Sequence, residues 1–103
     1  MTRLRLTPAV ALKRIREAAK VSGNVILGSH AKDRMLERDI TKRDVYRVLQ
    51  QGDIEGNPQE TERGEWKCKL TLQLRGRRVA GVVTVIMTNR KLFIKTVEWE
   101  DGR

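Results

Sequence analysis

In the stretch SHAKDRMLERDI, residues 29–40, the chain's single histidine, His30, is followed by Arg34 and then Arg38 at intervals of four. Each residue of an α-helix turns by about 100°. His30, Arg34 and Glu37 therefore cluster on one side, Arg38 lies at its border, and Ala31 and Met35 mark the buried side. Two arginines at i, i+4 repel each other by about 0.2–0.5 kcal/mol, so something anionic has to offset them. Asp33 and Glu37 can do so internally, on an ordinary solvated helix face. A bound phosphate can do so externally. RNA breaks without a metal when its own 2′-OH attacks the adjacent phosphorus. That reaction takes a base for the hydroxyl, an acid for the departing 5′-oxygen and cations for the developing charge. Histidine suits proton transfer because it titrates near neutrality. Arginine suits the phosphate because its planar fork matches the oxygens and stays charged.

With one histidine, the second proton-transfer group has to come from elsewhere. Tyr46, Lys67, Lys69 and Lys95 are of suitable type, and residue type alone does not choose among them. A Cys68–His30 nucleophilic pair is formally available. However, Cys68 falls on the apolar side of its strand, where a packed, inert thiol is expected. The sequence has no P-loop and no dinucleotide fingerprint. One His and one Cys cannot build a nitrogen–sulfur zinc site within one chain. The acidic Glu98, Glu100 and Asp101 match no cation-binding loop. Neither metal nor cofactor is expected. Trp66 and Trp99 are expected in the core or at its edge, with base stacking as a secondary reading.

The charge points the same way as the histidine stretch. The chain has 103 residues with 22 Lys+Arg against 13 Asp+Glu, a net +9. A pI near 10.5 favours a polyanionic partner, because each neutralised phosphate releases counterions. Nucleic acid is the first candidate, an anionic membrane surface the second, and simple basic solubility the third. No stretch approaches the roughly 20 apolar residues of a membrane span. Arg3 and Arg5 are not followed by the apolar run of a signal peptide. The lone cysteine fits a reduced compartment. A cytoplasmic protein is expected.

The elements that must hold these groups can be read from periodicity. One domain over residues 1–103 is expected. Thr7-Pro8 predicts a helix start, with Leu12, Ile15 and Ala19 inward and Gly23 as its end. Ser29 predicts the N-cap of a second helix running to Arg38. Thr41 and Asp44 form a capping-box pattern opening a third helix, with Val45, Val48 and Leu49 inward and Gly52 as stop. Residues 53–63 predict a short edge strand. Trp66, Cys68, Leu70, Leu72 and Leu74 alternate with Lys67, Lys69, Thr71 and Gln73, which predicts a strand with a core face and a basic face. Arg75-Gly76-Arg77 predicts a turn. Val79–Thr88 predicts a central strand covered on both faces. Asn89-Arg90 predicts a second turn before a return strand, Lys91 to Trp99. Both registers of that last strand contain apolar residues, so the faces of Lys95 and Thr96 stay open. Helices first, then an antiparallel meander, predict an α+β domain whose helices cover the Trp66–Leu70–Leu72–Leu74 face.

The stretch SHAKDRMLERDITKRDVYRVLQQGDI resembles the signature of a family of small prokaryotic domains of unknown function. The matching elements are His30-Ala31, Arg34-Met35, Glu37-Arg38, Ile40, Thr41 and Gly52. The later VTVIMTNRKLFIKTVEWED is similar to that family's closing hairpin, in which a strand leads to a threonine, here Thr96. The resemblance covers about residues 24–100 and leaves the basic helix of residues 1–23 outside. The family is usually grouped with the RelE-like and barnase-like ribonuclease toxins. The resemblance therefore implies helices packed on a twisted antiparallel sheet, a RelE-like ribonuclease toxin fold. It implies a metal-independent endoribonuclease of a toxin–antitoxin module. The implied partners are RNA, including ribosome-bound mRNA, and a cognate antitoxin, often one with a helix-turn-helix domain. The catalytic set carried over is His30, Arg34, Arg38 and Thr96. Lys32, Lys42, Arg43, Lys67, Lys69, Arg75, Arg77 and Arg78 are the basic residues expected to hold the RNA backbone. The alternative is a non-catalytic nucleic-acid-binding module, for which the short 39–41 connection between two helices mimics a helix-turn-helix.

Overall fold

The computed structural model describes residues 5–101; Arg3 lies outside them. In chain order the elements are α1 (Pro8–Ala19), a 3-10 turn (Ser22–Asn24), β1 (Val25–Leu27), α2 (Ser29–Arg38), α3 (Lys42–Gln51), β2 (Asp53–Glu60), β3 (Trp66–Gln73), β4 (Val79–Ile86) and β5 (Leu92–Trp99). The strands form one sheet in the order β1-β5-β4-β3-β2. This is an α+β fold. The sheet is mixed rather than purely antiparallel, because β1 pairs in parallel with Leu92–Ile94 of β5. A three-residue strand is too short to show periodicity, and its pairing spans most of the chain.

The helices form where capping and apolar spacing agree. Thr7 accepts from Val10 N at 3.2 Å, with Pro8 in the first turn of α1. Its buried stripe is Ala11, Ile15, Ala18 and Ala19, with Leu12 only partly covered. The helix stops before Gly23. Its last carbonyls are taken by Asn24 Nδ2 on Ala18 O and Gln50 Nε2 on Ala19 O. In α3, Thr41 and Asp44 close a reciprocal capping box, and Val45, Val48 and Leu49 are buried. Arg16 donates to Gly52 O at 2.7 Å and Leu49 O at 3.4 Å. A cation thus sits on the negative end of α3 and ties it to α1.

The registers sort the sheet into two faces. Leu70, Val82 and Val97 are fully buried in one cross-strand row, with Leu72, Ala80 and Trp99 beside it. With Cys68, Ile86, Leu92 and Ile94 they meet α1 and α3 in a single core. The opposite face carries the row Glu55, Lys69, Val83, Thr96 and the row Gln59, Lys67, Val85, Phe93. Strand β4 is central, but α1 and α3 cover only one of its faces, and Val79 and Val83 stay half-exposed.

Helix α2 lies along the second half of β5. Gly28 N donates to Ile94 O at 3.0 Å, just where β1 ends. Ten residues later, Trp99 Nε1 donates to Arg38 O at 2.7 Å. The N-cap is Gly28, not Ser29, and it makes no side-chain cap. A Cβ there would lie 2.7 Å from the Phe93 ring and 2.9 Å from Ile94 O. Glycine is required for that approach. Trp99 is 3% exposed, so its indole bond to the last turn of α2 is made away from water. Trp99→Phe keeps the ring but leaves a helix-terminal carbonyl without its donor. Urea denaturation should show a loss of about 1–2 kcal/mol.

Candidate functional site

Helix α2 presents the candidate groups because only one of its sides is needed for packing. Ala31 is fully buried and Met35 partly so. His30 is exposed, while Arg34 and Arg38 are half-buried on its flank. Glu37 pairs with Arg34 at 3.5 Å, both side chains being substantially exposed. Such a pair is worth at most about 1 kcal/mol and yields readily to a phosphate. Arg38 makes no ion pair and His30 no hydrogen bond among the described residues. The helix also opens with no capping side chain and no acidic residue in its first turn. Its amide N–H groups and positive dipole end therefore favour an anion beside His30.

Thr96 sits on β5, the strand on which α2 packs, and its face follows from a bulge. Val83 pairs with Thr96 and Thr84 with Ile94, so Lys95 and Thr96 together oppose one residue of β4. The bulge shifts the alternation. Leu92 and Ile94 are buried before it, Val97 and Trp99 after it. Thr84 steadies it, donating from Oγ1 to Phe93 O at 3.2 Å. Thr96 thereby joins Lys67 and Lys69 on the face away from the core, with Lys95 exposed.

The basic residues divide into free and committed groups. Lys32, Lys42, Arg43 and Arg77 are exposed, and none makes an ion pair among the described residues. Lys67 is half-buried on the open face. Lys69 is bound to Glu100 at 2.7 Å and lies 3.8 Å from Glu55. Gly81 makes this reach possible, because a Cβ there would strike the Glu100 carboxylate. An isolated glycine within the β-branched run of β4 is the sequence signal for such a close approach. Arg75 donates to Asp44 Oδ2 at 2.8 Å and to Asp39 O at 3.1 Å. It thus links the α3 capping box to the left-handed Asp39, φ 55°, that ends α2. Arg78 stacks over Trp99, 4.1 Å from the ring centroid, and pairs with Asp101. Arg75, Arg78 and Lys69 therefore brace the fold as they stand. The tail acids Glu100 and Asp101 are the partners of Lys69 and Arg78.

Among the possible second proton-transfer groups, Lys69 is held charged. The hydrogen bond to Glu100 raises its pKa above the ordinary 10.5, outweighing the opposing effect of burial. Tyr46 packs against the core from α3. Lys67 shares the Thr96 face. Cys68 is 3% exposed, and burial pushes its thiol up to about 11.

A family model described as Domain of unknown function (DUF4258) matches residues 27–99. The chain belongs to that family. The match begins just before α2 and ends at Trp99, so it takes in His30, Arg34, Arg38 and Thr96 and leaves α1 outside. No curated protein and no solved structure matches the chain. No helix of the described residues is long and apolar enough to cross a membrane.

Two outcomes follow for the buried groups. Only about one Cys68 thiol in a thousand is ionised at pH 8. It should resist a thiol reagent in the native protein and react at once in denaturant. Lys69→Met should lower stability at pH 7 by ~1 kcal/mol. Because the folded lysine titrates above 10.5, its contribution is complete below that pH and is lost above it. The gap between variant and wild type should close there in pH-resolved denaturation.

Proposed function

We propose that this protein is a metal-independent endoribonuclease. The observation that carries the reading is the α2 face, where an exposed His30 with no hydrogen-bond partner among the described residues stands at an uncapped helix start, with Arg34 about one turn and Arg38 about two turns further along. RNA would lie with its scissile phosphate on Arg34 and Arg38. The 2′-oxygen attacks phosphorus and the P–O5′ bond breaks, giving a 2′,3′-cyclic phosphate and a free 5′-OH. His30 moves one of the two protons, either taking that of the 2′-OH or supplying one to the 5′-oxygen. Lys67 and Lys95 stand on or beside the Thr96 face and are the candidates for the other proton. Thr96 would donate a hydrogen bond to a phosphoryl oxygen. Lys32, Lys42 and Arg43 are exposed and free to track the backbone.

The His30–Gly52 signature resembles that of a domain family usually grouped with the RelE-like and barnase-like toxins, and that grouping favours the same reading. It adds a cytoplasmic setting and an antitoxin partner. A second reading, a non-catalytic nucleic-acid-binding module, draws on the exposed Lys42 and Arg43 at the start of α3.

Purified protein should cleave a labelled RNA in EDTA, with products ending in a cyclic phosphate. His30→Ala should lower the rate by about 10²–10⁴-fold, and Arg34→Ala should weaken it strongly without altering the melting temperature. Cleavage only when translating ribosomes are added identifies a ribosome-dependent enzyme. No cleavage under either condition, with salt-dependent binding to duplex DNA, overturns the proposal in favour of the binding module.

A further inference from the structure

A groove of about 700 Å³ runs between the outer side of α1 and the tips of the β2–β3 and β4–β5 hairpins. None of His30, Arg34, Arg38 or Thr96 lines it. One wall is a helical stripe of α1 that starts at Val10 and continues through Lys13, Arg14 and Glu17 at i+3, i+4 and i+7. Facing it are Trp66, Ile86 and Met87 of the sheet end.

Two properties of this groove point to its occupant. The first is an apolar floor open to water. Val10 is 43% exposed, and Trp66 and Met87 are half-buried. The second is an imbalance of charge. Glu17 is held by Lys20 at 3.1 Å, and Glu65 accepts from Thr88 N at 3.3 Å. Lys13, Arg14 and Arg90 also line the groove and make no ion pair among the described residues. Both carboxylates are engaged, while the three cations are not. A nucleic acid would set phosphates against Glu17 and Glu65 and leave the apolar floor wet. A protein segment with carboxylates on one side and aliphatic residues on the other satisfies both features.

We propose that this groove docks an acidic amphipathic segment of a partner protein. Its apolar residues would pack on Val10, Trp66 and Met87 and its carboxylates would pair with Lys13, Arg14 and Arg90. The arrangement is that of a helix seated in a groove by regularly spaced anchors. The inference does not depend on RNA cleavage, because the groove and the His30 face share no residue.

The test is selection of a phage-displayed library of random helix-length peptides against the full chain. Enriched peptides should combine Asp or Glu with Leu, Ile or Phe at helical spacing. Val10→Asp and Arg14→Glu should each weaken their binding by about tenfold or more. Replacing the peptide's carboxylate by lysine should restore binding to Arg14→Glu, and His30→Ala should leave it unchanged. Val10 and Arg14 are both exposed, so unchanged thermal melts are expected and confirm that the variants fold. Failure to enrich any peptide overturns the proposal, as do enriched peptides indifferent to both variants. A labelled RNA that binds in an Arg14-dependent way, and that no selected peptide displaces, overturns it in favour of a nucleic-acid groove.

Discussion

The seating of α2 on β5 is the constraint from which the rest of this molecule follows. An exposed strand edge carries unpaired N–H and C=O groups and has to be covered. Here β1 pairs the first part of β5, over Leu92–Ile94, and the helix takes the remainder. Its start is fixed by the absence of a side chain at Gly28 and its end by the Trp99 indole. Between these anchors β5 is bulged against β4, close to where the helix takes over from β1 on its other edge, and the β4 ladder continues to Trp99. The same seating turns Ala31 and Met35 inward, and through them leaves His30 in water.

A second set of contacts keeps α2 and α3 in fixed relation. The chain turns sharply at Asp39, in a left-handed conformation that Asp tolerates better than most residues. Arg75 reaches from the β3–β4 turn to Asp39 and Asp44 together. One guanidinium therefore braces a helix end, a capping box and a hairpin. Arg16 does the equivalent at the far end of α3. Arginines that look like a uniform basic surface in the sequence are in fact of two kinds. Some hold carbonyls and carboxylates of the fold. Others, Arg38 on α2 and Arg14 on α1 among them, make no ion pair among the described residues.

This division gives the molecule two chemically different surfaces. The α2 face combines a histidine, two arginines and an uncapped helix start, and it suits a compact, highly charged group such as a phosphate. The α1 groove combines separated cations with an apolar floor, and it suits a mixed surface in which carboxylates alternate with aliphatic side chains. None of His30, Arg34, Arg38 and Thr96 lines the groove. The family match covers residues 27–99, so it takes in the α2 face and the Trp66–Ile86–Met87 wall of the groove and leaves out only the α1 wall.

The sequence by itself determined the α+β class, the start of α1, the α3 capping box, the alternating β3 strand and the grouping of His30 with Arg34 and Arg38. Each of these depends on residues within a helical turn or two of one another, where spacing and capping act directly. Tertiary structure decided what local spacing cannot carry. The parallel pairing of β1 joins residues far apart in the chain and rests on too few positions to show a period. The face of Thr96 depends on a bulge that breaks the alternation within one strand. Ser29 makes a plausible N-cap in isolation, but the Phe93 ring leaves room only for Gly28 at that position. The commitment of Arg75, Arg78 and Lys69 to Asp44, Trp99 and Glu100 appears only once the sheet is assembled, because charge in a sequence has a sign but no partner.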